Sequence, residues 1–360
     1  MDYRSRWQQK RRERATRQRL IVIAVCVLGL AAAVASWHAR GRAVPSGYQF
    51  PTPDVCWLTA APDYLLVCGR SGRLARVALG LPDAPSPWLR DFTHPAGFLG
   101  SAAIADDVAL VGCTDVRLRA VDVLTGQQVW EIEAGGAVTG VSTVDARVYF
   151  GSEDGRVYAA GADGVLRWTS VDLGSKLVAA PLATDGGIIV ATLAGTVHCL
   201  AVGDGRELWQ VSTGAPIYAA PRPGPSTILV GDDAGRLHSL TPDGEEVLTH
   251  DLKGLIRAPV GVAGEVVVAG DSSGLLARIN PSDMTELWRT HLPGPVAAEP
   301  AIGGTMVWCG AGRSLVAVNA ATGRIVRRLW AEAEVTDVLI AFGHLYWATA
   351  DGRVRMIDAP

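Results

Sequence analysis

The feature that most limits how this chain can fold is a beat of about 40 residues. A segment with Ala120, Asp122, Thr125 and Gly126 closes on Trp130, and it returns as Ala317, Asn319, Thr322 and Gly323 closing on Arg327. Partial copies close on Trp88, Trp168, Trp209, Leu248 and Trp288, so successive closing positions lie 38 to 42 residues apart. A fixed period of this length marks stacked supersecondary units, none of which can bury its apolar face alone.

Each period also holds two apolar runs separated by a tight turn, clearest at Val148–Gly151, Asp154, Gly155 and Val157. The same pattern surrounds Gly235, Gly274 and Gly352. Glycine between β-branched runs is a hairpin signal, because it accepts the positive φ such a turn needs. Small residues followed by proline (177–181, 217–221, 256–259 and 296–300) open four of the units and read as an innermost strand beside a crowded axis. Inner strand, hairpin and outer strand make four strands per unit, which is a propeller blade. No helical periodicity follows residue 37, so helical solenoids are excluded.

Seven units close at the positions above, and an eighth begins near Val335 and stops after three strands. The reading is an all-β, eight-bladed β-propeller of four-stranded blades over 54–360. The missing strand is expected from the segment around Tyr48 to Thr52, folding back to close the ring and remove exposed edges.

Trp88, Trp130, Trp168, Trp209 and Trp288 are expected to wedge between neighbouring blades and to be structural. Thr125, Gly126, Thr322 and Gly323 mark the turns before the closing strand, and Gly155, Gly235, Gly274 and Gly352 the hairpin turns. Six cysteines show no CxxC and no metal-like spacing, and the seven histidines show no ligand spacing. Cys56 and Cys68 flank a turn and in a symmetric hairpin would face each other within disulfide range. Glu299, Asp337, Lys176 and Arg257 fall at or near inner strands, where ion pairing at a channel mouth is expected. No catalytic, cofactor-binding or metal residues are assigned.

The amino terminus is a separate element. Leu20 to Trp37 is an uncharged run of 18 residues, long enough to cross a hydrocarbon core as one helix. Residues 1–19 carry eight Arg or Lys against two acids, which keeps that tail in the cytoplasm and sends the remainder across. The expected order is a basic tail (1–19), a transmembrane signal anchor (20–37), an extended spacer with a closing strand (38–53) and the propeller. Cleavage as a signal peptide is the alternative, since Ala33-Val34-Ala35 has the small-x-small form. The tail leaves the rest of the chain strongly acidic, which argues against nucleic acid as a partner.

The pattern Ala-x-Asp-x-x-Thr-Gly-x-x-x-Trp resembles the tryptophan-docking repeat of the quinoprotein (PQQ-like) propellers, shared by pyrroloquinoline-quinone dehydrogenases and the BamB-like envelope proteins. The resemblance covers residues 55 to 358. It implies a non-enzymatic scaffold that binds other envelope proteins, with no cofactor assigned; the anchor read from residues 1–37, a departure from the BamB-like proteins, holds it at the bacterial inner membrane by one helix with its propeller in the periplasm or outside. Two rivals remain. One is a dehydrogenase binding quinone and calcium, against which stands the lack of the adjacent cysteine pair that covers the cofactor in such enzymes. The other is an envelope ligand sensor reporting through the basic tail.

Overall fold

The computed structural model describes residues 42–43, 49–50, 54–78, 88–92 and 97–358. The basic tail, the apolar run and most of the spacer lie outside the described residues. Among those described, no helix is long and apolar enough to cross a membrane.

Among the described residues, thirty-two strands form eight four-stranded sheets. Seven are antiparallel meanders of consecutive strands, here called blades 1 to 7, over 56–91, 103–133, 138–169, 182–212, 222–251, 261–291 and 301–330. Blade 8 takes three strands from Val335–Ala341, His344–Thr349 and Val354–Asp358, and its outermost from the short Arg42–Ala43. Gln49 forms an antiparallel bridge with Arg353, and the Phe50 amide donates to the Gly352 carbonyl at 3.3 Å. Of the span 48–52 read as the closing strand, only Gln49 and Phe50 are described, and both lie along this edge.

The small-residue runs ending in proline do not form the innermost strands. They lie just before them, as extended chain held by single bridges such as Leu177 with Thr192 and Val296 with Ala311. The ladder starts after the proline, at Leu182–Thr184 in blade 4 and Ala301–Gly303 in blade 7. Proline cannot donate to a ladder, which explains the shift.

The middle strands are buried on both faces because neighbouring blades stack on them, so Tyr64–Gly69 and Gly187–Ala191 show no alternation. Outer strands have one solvent face, and Glu207–Ser212 alternates with the period of a half-buried strand. The core is accordingly a ring of apolar clusters, each shared by two adjacent blades. One cluster joins Cys56, Leu58, Leu65 and Val67 of blade 1 to Tyr346, Ala348 and Val354 of blade 8, which closes the circle. Hydroxyls add lateral ties: Thr59 donates to the Ala102 carbonyl at 2.7 Å, and Thr336 to the Cys56 carbonyl at 2.8 Å.

The ladder between the third and fourth strands carries the same irregularity in blades 2 to 7. In blade 2, Ala120 pairs with Trp130 and Val121 with Gln128, so Val129 bulges out. Leu208, Val247, Leu287 and Val326 occupy the corresponding position. A bulge adds twist and bends the outer strand. It falls immediately before the closing residue of the repeat and turns that residue toward the next blade.

Candidate functional site

Five tryptophans do the same job at five joints. The indole Nε1 of Trp88 donates to the Val123 carbonyl at 2.9 Å, that of Trp130 to Ala162 at 3.0 Å, and that of Trp168 to Val202 at 3.0 Å. Trp209 donates to Pro242 and Trp288 to Ala320, each at 2.9 Å. Every acceptor lies in the turn of the following blade, and the same turn presents a glycine to the ring. At Gly126, Gly164, Gly205, Gly244 and Gly323 a Cβ would come within 2.4–2.8 Å of an indole carbon, and every one of these glycines has positive φ. A side chain is excluded there by space as well as by backbone conformation. Gly126 and Gly323 follow Thr125 and Thr322, whose hydroxyls donate to Asp122 and Asn319 at 2.7 and 2.9 Å and tighten the turn. The hairpin glycines Gly155, Gly235, Gly274 and Gly352 have φ of 80°, 83°, 89° and 80°.

Blades 5 and 7 depart from this rule. Leu248 takes the indole position in blade 5, and the facing turn of blade 6 carries Met284 where the others carry glycine. Met284 keeps the left-handed backbone (φ 56°) and packs in one buried cluster with Leu248. A smaller group on one side is matched by a larger one on the other. In blade 7 the position is Arg327, facing blade 8, whose outer strand comes from the amino-terminal side and which therefore has no such turn.

The inner segments of all eight blades enclose a channel of about 340 Å³. Gly100, Gly140 and Ala180 line part of it, and a Cβ on Gly140 would meet the Ala180 Cα at 2.4 Å, so the wall there admits nothing larger. Trp57 and Tyr218 are its aromatic groups and Arg257, Glu299 and Asp337 its charged ones, with the hydroxyls of Ser101, Thr139 and Thr336 beside them. Arg222 bonds Glu299 at 2.5 Å, bridging blades 5 and 7 past blade 6. Burial raises the Glu299 carboxyl above the usual range, and Arg222 partly offsets this. Asp337 faces the narrow lumen but is surrounded by protein. Its carboxylate accepts from the Leu58 amide at 2.7 Å and its own neighbour Val338 at 2.8 Å, and burial pushes it up to about 6, with Glu299 adding to the rise.

The four charged residues expected at the mouth are placed as follows. Lys176 bonds Glu153 at 2.7 Å. Arg257 grips Asp233 with two bonds of 3.0 and 2.8 Å while lying 4.7 Å from the Tyr218 ring centroid. Glu299 pairs with Arg222, which sequence reasoning missed although a charge beside the inner Pro221 was the available signal. Asp337 is met by backbone amides alone among the described residues. His238 was also passed over: it is buried between Asp232, at 3.0 Å, and Glu246, tying the hairpin turn to the outer strand of blade 5.

The Cys56–Cys68 pairing is not what the structure shows. Cys56 lies opposite Gly69, and Cys68 opposite Trp57. The one-residue offset sends the two side chains to opposite faces, Cys56 into the cluster shared with blade 8 and Cys68 into the one shared with blade 2. Both are free, buried thiols, and burial pushes Cys68 up to about 12.

With ring, joints and channel in hand, comparison with known proteins is decisive on one point. The family described as outer membrane protein assembly factor BamB matches residues 114–247 and 233–360. The chain belongs to the BamB family. The assembly factor BamB of Bordetella pertussis is 30% identical over 211 residues, 52% of each chain. This chain thus spans about half the length of that relative. The crystal structure of BamB from Moraxella catarrhalis superposes with a TM-score of 0.73 at 18% identity, covering 86% of this chain and 97% of that one. A computationally designed protein, Ika8, gives 0.78 at 18% identity, covering 88% of this chain and all of that one. At such identities these two structures speak for the fold alone.

The channel does not suit a quinone with calcium. Calcium needs six or more converging oxygens. Here one carboxylate is taken by Arg222 and the other by two amides, and among the described residues no three His, Cys, Asp or Glu side chains converge.

Proposed function

We propose that this member of the BamB family is a membrane-anchored, extracytoplasmic scaffold that holds other proteins of the bacterial envelope and carries out no chemistry of its own. The family match across residues 114–360 is the observation that carries the reading. The channel supports it: among the described residues its two acids are engaged by Arg222 and by backbone amides, and no three His, Cys, Asp or Glu side chains converge. A ring of packed blades that presents its connecting loops on two faces suits recognition.

The anchor is the 20–37 segment behind its basic head, which places the ring outside the cytoplasmic membrane. A lasting inner-membrane anchor sets this chain at the membrane opposite to the one in its relatives' name, so the proposed role is envelope scaffolding, not barrel assembly itself. Crosslinking in intact cells, followed by identification of captured proteins, tests both parts. Envelope proteins should be recovered, and protease added outside the cytoplasmic membrane should digest the propeller. Capture of cytosolic proteins, or protection from that protease, would refute the reading.

A further inference from the structure

The outer strand of blade 7, Ile325–Trp330, breaks the pattern of the ring in three ways at once. Its docking position is Arg327, as described. Its exposed tryptophan, Trp330, is 65% accessible and stands three residues later, with the Arg313 guanidinium 5.4 Å from its ring centroid. Its charge is opposite to that of three other edges, and no other outer strand carries two arginines. Gln128–Glu133 carries Glu131 and Glu133, Glu207–Ser212 carries Glu207, and Glu246–Asp251 carries two acids, whereas Ile325–Trp330 has two arginines and no acid.

We infer that this edge is a docking strip for an acidic, extended polypeptide segment of a partner protein. Arg324, Arg313 and Arg328 stand along it, all exposed, and among the described residues none of them is ion-paired. Arg328 bonds the Ser314 hydroxyl at 3.0 Å and Arg313 bonds the Glu332 carbonyl, so their charges are not neutralised. The nearby Glu332 is engaged by Arg353 and Arg355. Ile325, Val326 and Trp330 add exposed apolar surface between the cations. Among the described residues the strand is the last of its sheet, and no other described strand pairs with its outward backbone groups. The bulge at Val326 sits at its start and leaves 327–330 regular. Main-chain pairing at such an edge supplies affinity, and alternate side chains supply selectivity. On a body that is strongly acidic overall, a cationic and aromatic edge selects a negatively charged segment.

The inference rests on the scaffold reading, and its test is separable from it, since a peptide can fail to bind in solution while crosslinking still recovers envelope proteins. The probe is a fluorescein-labelled peptide about ten residues long, alternating glutamate and valine, titrated by anisotropy onto the full chain in detergent. Saturable binding is expected, weakened by salt. It should fall at least about tenfold with Arg324→Gln plus Arg328→Gln, with Trp330→Ala, or when alternate peptide nitrogens are methylated. A lysine–valine peptide should not bind. Near-ultraviolet circular dichroism checks that the variants keep the fold, which these exposed positions should permit. Equal binding of the lysine peptide, no loss in the folded variants, or no binding at all would overturn the inference. So would self-association of the chain that disappears with the same arginines, which would make a second copy the occupant.

Discussion

The pair Leu248 and Met284 lets the logic of the blade joints be tested quantitatively. Elsewhere an indole carbon lies 2.4–2.8 Å from where a Cβ on the facing glycine would be, and at this joint that place is filled by the Met284 side chain. Leu248→Trp alone should therefore overpack the joint and cost about 1–3 kcal/mol. Met284→Gly alone removes a buried side chain, worth about 2–5 kcal/mol, and recovers about 1 kcal/mol by relieving the left-handed backbone of a non-glycine residue. Together the two changes rebuild the joint found five times elsewhere, with the new indole donating to the Pro281 carbonyl. The double variant should sit within about 1 kcal/mol of the parent, which implies a favourable coupling of at least about 1 kcal/mol. Equilibrium denaturation of the four chains, comparing midpoints at constant slope, measures this coupling. Additive losses would show that the match of large with small across the joint is not what stabilises it.

Three further outcomes follow from the geometry. Trp288→Ala should destabilise by about 3–5 kcal/mol in the same assay, because a nearly buried ring and its hydrogen bond to Ala320 are both lost. Between about pH 4, where the unfolded chain ionises, and about 6, where folded Asp337 does, the unfolded state binds fewer protons, so stability should fall as pH rises and level off above. Glu299 shifts in the same direction, and Asp337→Asn should flatten most of that slope in denaturation midpoints taken across the range. Mass mapping without reductant should find Cys56 and Cys68 unlinked, since a disulfide would need the first hairpin to slip by one residue.

What could be read from the sequence was whatever repeats. Trp130, Trp209 and Gly323 recur with the period, so the joints and the blade count were visible in one dimension. The glycine beneath each indole was in view as a turn residue, but its second duty, making room for a ring from the previous blade, needs coordinates of two blades together. The bulge was hidden for a related reason. Val129 and Leu208 look like ordinary alternating strand residues, and only the ladder shows that each has no partner. Cys56 and Cys68 went wrong because sequence spacing gives the length of a hairpin and leaves its register open by one. Arg222 and Glu299 meet across an intervening blade, 77 residues apart, beyond the reach of any local pattern.

The meeting of Gln49 with Arg353 has a practical corollary for anyone re-engineering the molecule. Because the first and last parts of the circle lie side by side along one sheet, a short linker could splice them and new ends could be cut between any two blades. Such circularly permuted chains should still fold, and they would carry a fused anchor or label to a chosen sector of the rim.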